Sequence, residues 1–228
     1  AKEMNELTPM QRQYRAIKDK HKDCILFFRL GDFYEMFNED AFLAARELDL
    51  TLTTRDRTKP KEEQTPMCGV PFHSVDSYIA RLVQKGYKVA ICEQMEDPAT
   101  AKGLVERDIT RIVTPGTVTE SCMLEESKNN YMGCIFGQGG KFGLSFCDIS
   151  TGAFFVTVCT DARSVASELG RFSPAEVLRF GSETDHEAIE DVLFRRLGCC
   201  VDEGNLKDFQ EEACAEALTR HFGKSLEQ

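Results

Sequence analysis

One apolar run, Cys24-Ile25-Leu26-Phe27-Phe28-Arg29-Leu30, leads straight into Gly31-Asp32-Phe33-Tyr34-Glu35-Met36-Phe37, and no other stretch restricts the fold as strongly. Aromatic and branched residues at this density over so short a length predict a strand, with Gly31 as a bulge inside it. Asn38 follows as a helix N-cap, with Glu39 and Asp40 placed at the positive end of the helix dipole. In an extended Phe33-Tyr34-Glu35 the side chains alternate, so Phe33 and Glu35 share one face and Tyr34 takes the other. A helix would not turn residues two apart to the same side. The strand therefore offers an aromatic ring beside a carboxylate, a pair suited to entering a base stack and testing a base edge.

The elements around it alternate. Thr8 caps a first helix with Pro9 at its first position, and Met10, Tyr14 and Ile17 recur at helical spacing. A second helix is expected over 39–48 and a short strand over 50–54. A cationic loop follows, Arg55-Asp56-Arg57-Thr58-Lys59-Pro60-Lys61, and then a Gly/Pro-punctuated loop over 66–71. Ser74 caps a helix over 75–85 that Gly86 stops. Strands over 87–92 and 109–113 complete a mixed sheet covered by helices. Residues 118–128 are rich in Thr, Ser and Glu and read as a linker. Beyond it, strands over 131–136, 142–149 and 152–158 form a meander joined by Gly-rich turns. Helix 163–170, strand 176–180, helix 187–197, a short strand near Cys200 and a helical tail over 208–222 follow. Three hairpin strands and then alternating helix and strand resemble a ribonuclease-H-like fold. The fold class is α/β, with two domains at 1–117 and 129–228.

Charge separates the two parts. The chain carries a formal net charge of -10. Up to Thr117 there are 18 Lys and Arg against 19 Asp and Glu, a net of -1; the remainder has 10 against 19, a net of -9. Any nucleic-acid contact would therefore belong in the first part, which can hold a local basic patch. The acidic second part suits a protein partner or a spacer. Ten cysteines are scattered with no Cys-x-x-Cys, which argues against zinc; Cys24, Cys92, Cys134 and Cys147 lie in apolar runs and read as buried thiols. For Cys199-Cys200, a strand with one thiol in and one out is expected. No apolar run reaches the roughly 20 residues of a membrane span, and no signal peptide is evident, so a cytoplasmic protein is expected.

Gly31-Asp32-Phe33-Tyr34-Glu35 resembles the phenylalanine-x-glutamate motif of the MutS family of bacterial DNA mismatch-recognition proteins. Four further stretches match in order. They are Leu7-Thr8-Pro9-Met10; Pro66-Met67-Cys68-Gly69-Val70-Pro71-Phe72-His73; Val89-Ala90-Ile91-Cys92-Glu93-Gln94 with Asp97-Pro98-Ala99-Thr100; and Arg107 through Arg111-Ile112-Val113-Thr114-Pro115-Gly116-Thr117. A lone Phe-x-Glu carries almost no information, but five ordered matches over half a chain are specific. The remainder resembles the family's connector domain more loosely. The resemblance implies a mismatch-binding domain followed by a connector. It also implies mismatched double-stranded DNA and MutL as partners, and a homodimer in the full-length protein. ATP and Mg²⁺ would belong to ATPase domains that this chain does not encode, so the fragment itself would be no enzyme and hold no cofactor.

Five residues are carried over as DNA contacts. Phe33 would wedge into a step from the minor groove, the competing reading being an ordinary core phenylalanine. Glu35 would test the unstacked base, where the like charge of phosphates favours its protonated, donating form; otherwise it is a surface glutamate. Arg55 falls where the family has a basic residue after the strand and would meet phosphate. Met67 would touch the groove or pack its loop. Arg107 would enter the minor groove or pair with Glu106 or Asp108. Cys68 stands where the family is expected to have alanine. His73 and Ser74 would reach phosphate or cap a helix, and the cap is preferred. Two lookalikes are set aside. Gly223-Lys224-Ser225 lacks the glycine and the strand of a phosphate-binding loop. Asp148 lacks the converging carboxylates of a two-metal nuclease and is read as a turn residue.

Overall fold

The computed structural model of the chain describes residues 7–58, 60–101, 103–125, 127–181, 187 and 189–224. The chain divides into two compact units, Ala1–Pro115 and Gly116–Gln228. In the first, α1 (Pro9–Lys18) precedes β1 (Cys24–Leu30), β2 (Phe33–Phe37), α2 (Asn38–Leu48), β3 (Thr53–Thr54) and β4 (Pro66–Pro71). After these come α3 (Val75–Gln84), β5 (Lys88–Gln94) and β6 (Arg107–Val113). The six strands form one mixed sheet in the order β3-β4-β2-β1-β5-β6, with β1 and β5 parallel and the other neighbours antiparallel.

Gly31 does not mark a bulge. The run that reads as one strand is a hairpin, with β1 and β2 antiparallel and Leu30 opposite Phe33. The two-residue turn is Gly31-Asp32, and Gly31 takes φ 61°, a conformation open to glycine and costly for most other residues. This puts Phe33 at the very start of β2, beside the hairpin tip. A second correction concerns residues 66–71. They are not a loop but strand β4, paired with β2 from Phe33↔Pro71 to Phe37↔Met67. Its two prolines stand at the ends of the strand, where a missing N–H costs least.

The sheet is packed on both faces because its central strands alternate large apolar residues to both sides. Leu26, Phe28 and Phe37 join Tyr14 of α1 in one buried cluster, the Tyr14 ring meeting Phe28 and Phe37 edge-on at 5.4 and 5.0 Å. Thr8 caps α1 as the sequence predicts: its hydroxyl accepts from the Gln11 N–H, and the Gln11 side chain accepts from the Thr8 N–H. Asn38 is not the cap of α2. Phe37 holds that position with extended backbone, and Asn38 begins the helix at φ 53°, a left-handed value that asparagine tolerates better than most. Asp40 turns inward instead of only facing the dipole, accepting from the Leu26 N–H and from Lys18 Nζ, each at 2.9 Å.

In the second unit β7 (Tyr131–Gln138), β8 (Lys141–Asp148) and β9 (Ala153–Cys159) form the expected meander. Next come α4 (Ala162–Phe172), β10 (Glu176–Gly181), a helical segment wound as a π-helix (Asp191–Leu197), β11 (Cys200–Glu203) and α5 (Glu211–Phe222). The sheet order β11-β10-β7-β8-β9, with β10 parallel to both β7 and β11, is the ribonuclease-H-like arrangement. Val165 and Leu169 of α4, with Ile189 and Leu193, fill its core against Ile135, Leu144 and Phe146. Gly116 opens this unit in close contact with β10. Its N–H donates to Glu176 at 2.9 Å, and a β-carbon there would lie 2.9 Å from Glu176 Cβ. In the stretch 118–128, Val118 and Met123 are buried.

Candidate nucleic-acid interface

Register builds the site. Cys92 of β5 stands opposite Phe28 of β1, Phe28 opposite Glu35 of β2, and Glu35 opposite Gly69 of β4. These four form one row across the sheet, on the face that α1 covers further along. Phe33 lies two residues before Glu35 on that same face. Phe33 is 46% exposed, whereas Tyr34, on the opposite face, is buried and its hydroxyl donates to Glu93. A phenyl ring left this open at a strand end contrasts with Phe27 and Phe28 of the neighbouring strand, both fully buried.

Glu35 is buried rather than displayed, with 7% exposure. Arg55, in the loop after β3, grips it with both edges of a fork: Nε donates to Oε2 at 2.9 Å and Nη2 to Oε1 at 2.5 Å. The Arg55 side chain remains 48% exposed and forms the outer layer of the pair. Gly69 keeps the row open. A β-carbon at Gly69 would sit 3.3 Å from the Tyr34 carbonyl oxygen, 3.5 Å from Glu35 Cγ and 3.8 Å from the Phe33 ring. Sequence reasoning passed over Gly69, though its place in the Pro-Met-x-Gly stretch was the available signal.

The other two carried-over residues lie elsewhere. Arg107 is buried in the free chain, and among the described residues it makes no ion pair with Glu106 or Asp108. It is 9% exposed; its Nε donates to the Arg29 carbonyl at 2.7 Å and its Nη1 to Val105 and Gln13 at 2.8 and 3.0 Å. Its guanidinium also lies 5.1 Å from the centre of the Phe28 ring. Burial, with the nearby Arg55 charge adding to it, lowers its pKa from the ordinary arginine value. It braces the row from the β6 side. Met67 stands opposite Phe37, at the far end of β2 from Phe33, and packs on the Tyr14 cluster. Thus the structure brings together Phe33, Glu35 and Arg55, with Arg107 beneath and Met67 apart.

The hairpin tip is fixed by groups that carry no obvious motif. The Gly31 N–H donates to Gln94 Oε1 at 3.0 Å, and Arg29 Nε donates to the Gly31 carbonyl at 2.5 Å. The Arg29 guanidinium stacks 3.9 Å above the ring of Phe72, which is itself 39% exposed. Ser74 makes no side-chain cap to α3; its hydroxyl donates to the Pro71 carbonyl.

The two lookalikes resolve differently. Asp148 is fully buried at the end of β8, where Oδ1 accepts from the Ser150 N–H and hydroxyl at 2.9 and 2.6 Å and Oδ2 from the Asn130 N–H at 3.1 Å. Burial raises its pKa, but these hydrogen bonds outweigh that and hold it below the ordinary aspartate value. Gly223 ends α5 in a left-handed C-cap, so Gly223-Lys224 sits at the negative pole of a helix instead of leading into its positive one, and does not fit a nucleotide phosphate. Ser225 lies outside the described residues. Cys24 and Cys92 are buried free thiols, as read from the sequence, and Cys68 is a further one; Cys134 and Cys147, expected to be buried, are half-buried, as are both Cys199 and Cys200. Among the described residues no helix is long and apolar enough to cross a membrane.

Comparison with known proteins bears on what this arrangement is for. Residues 8–122 match the family profile for MutS domain I, and residues 130–228 match that for MutS domain II. The chain is 50% identical over 222 residues to the DNA mismatch repair protein MutS of Acetivibrio thermocellus, covering 96% of the chain and 25% of that protein. With the MutS of Halothermothrix orenii it shares 57% identity over 177 residues, covering 77% of the chain and 20% of the relative. With that of Caldanaerobacter subterraneus it shares 43% over 229 residues, covering 97% and 25%. The chain thus spans about a quarter of the length of such relatives. Matched in both halves and along nearly its whole length, it belongs to the MutS family.

Proposed function

We propose that this chain recognises mispaired steps in double-stranded DNA, as the mismatch-binding and connector portion of a longer mismatch-repair protein. The exposed ring of Phe33, set beside Glu35 at the tip of a braced hairpin, is the observation that carries the reading. A wedge inserted from the minor groove must unstack a base step, at a cost of roughly a few kcal/mol. A mispaired step has already lost part of its stacking and pairing, so the same wedge enters it more easily. Discrimination then rests on deformability instead of base sequence, which suits a protein that meets many mismatches in any context. Glu35 hydrogen-bonds the base that Phe33 unstacks, and Arg55, outermost of the three, meets the phosphate backbone. Arg107 and Met67 support this face from within the fold.

In the same reading the acidic second unit is the connector, which engages MutL and relays the bound state onward. ATP and Mg²⁺ belong to parts of the longer protein outside this chain, which works as a cytoplasmic homodimer. A salt titration of the chain on paired and singly mispaired duplexes tests the recognition step. Binding is expected to weaken linearly in log–log form as salt rises, because phosphate contacts release counterions. The mispaired duplex is expected to bind more tightly at every salt concentration. Equal affinity for the two duplexes throughout would contradict the proposal.

A further inference from the structure

We propose that Arg55 is a gate on Glu35: in the free chain it occupies both oxygens of the carboxylate, and only a DNA phosphate that takes over its guanidinium frees Glu35 to meet a base. The inference rests on the functional reading above and deepens it. Three features of the pair support it. First, both Glu35 oxygens are engaged, Oε2 by Nε at 2.9 Å and Oε1 by Nη2 at 2.5 Å, so a closed pair takes the carboxylate's forked edge, the one that faces Arg55. Second, the layers are ordered. The Glu35 side chain is 9% exposed and that of Arg55 48%, so a duplex approaching this face meets the arginine first. Third, the guanidinium has somewhere to go. Arg55 also lines a cleft of about 510 Å³ together with Phe37, Asn38, Asp56 and Thr65, and Gly69 leaves the opposite side of Glu35 free of a side chain.

A guanidinium edge forks onto one pair of oxygens at a time. A phosphate that captures the Nε–Nη2 edge therefore displaces the carboxylate. On a paired step no base is unstacked to receive Glu35, so the Arg55 fork returns to it. On a mispaired step the released carboxyl finds a base edge and the exchange is completed. Arg55 is thus a positioning residue for discrimination as well as a phosphate contact. Arg107 braces the same row but keeps its own partners.

The test follows the Glu35 carboxyl carbon by NMR in the whole chain, free and titrated with paired and mispaired duplexes. Its resonance is expected to keep its free-chain position on paired DNA, to move on mispaired DNA, and to move without DNA in Arg55→Ala. An unmoved resonance on both duplexes, with the Phe33 ring signals shifting, would overturn the gate. Dissociation constants from the same titrations give a double-mutant cycle. Without Arg55, an uncompensated Glu35 penalises the paired complex more than the mispaired one. Arg55→Ala should therefore weaken both duplexes but raise the mispaired-to-paired preference by about threefold or more, and in a Glu35→Gln background leave that preference unchanged. Equal weakening of both duplexes by Arg55→Ala would make Arg55 a phosphate anchor only, and the gate alone would fail. A wild-type chain with no preference for mispaired DNA would instead remove the recognition itself.

Discussion

Glu35 and Asp148 are both buried carboxylates on sheet strands, one in each unit, yet they are held in opposite ways. Asp148 accepts from the Asn130 and Ser150 N–H groups and the Ser150 hydroxyl, all within its own turn or the adjoining strand end. Among the described residues, Glu35 accepts only from a long side chain that is half in solvent. Backbone donors cannot leave without unfolding the turn, whereas a guanidinium can swing away. Burial alone therefore does not tell the two acids apart; the kind of donor that holds each one does.

The contrast is open to direct attack. Asp148→Ala strands two backbone donors in a buried turn and should cost the second unit about 2–4 kcal/mol in urea unfolding. Because the folded pKa of Asp148 is depressed, its contribution is present above the unfolded value near pH 4 and is lost as pH falls through the lower folded value. A loss of stability setting in only as pH rises would reverse that sign. Cys68 gives a second immobile case. It is buried, its Sγ donates to the Ala41 carbonyl, and burial pushes its pKa up to about 11. A thiol reagent at pH 8 should modify Cys68 about 100-fold more slowly than an ordinary exposed thiol. Comparable rates would show the first unit to open far more readily than its packing implies. Arg55→Ala should cost only about 1 kcal/mol of stability, since its side chain is half exposed and water can enter to solvate Glu35. A cost equal to that of Asp148→Ala would make the two acids alike. Phe33→Ala should change stability least, within about 0.5 kcal/mol, as an exposed ring contributes little to the core.

Much of this was legible in the sequence, for reasons that differ along the chain. Alternation alone put Phe33 and Glu35 on one face, and Thr8-Pro9 marked the start of α1, where the structure adds a capping box with Gln11. The meander of β7, β8 and β9 showed itself through its Gly-rich turns, with Gly139 and Gly140 both at positive φ. The hairpin at Gly31 was missed because a bulge and a two-residue turn ask for the same residue; only pairing, a long-range property, separates them. Strand β4 was missed because prolines at both ends read as loop until a neighbour supplies the hydrogen bonds. The same limit applied to the site. The family resemblance picked out Phe33, Glu35 and Arg55, but nothing local shows that Arg55 clasps Glu35. Nor does spacing show that Arg107 turns inward to the Arg29, Val105 and Gln13 side of the sheet.

The central claim is that the open ring at the hairpin tip, and not the general charge of the first unit, makes the chain prefer damaged pairing. The most direct measurement compares wild type and Phe33→Ala for binding to matched duplexes that differ by one mispair. The account predicts that the variant stays folded, keeps its salt-sensitive affinity for paired DNA and loses the preference for the mispair. A variant that still favours the mispaired duplex as strongly as wild type would contradict it.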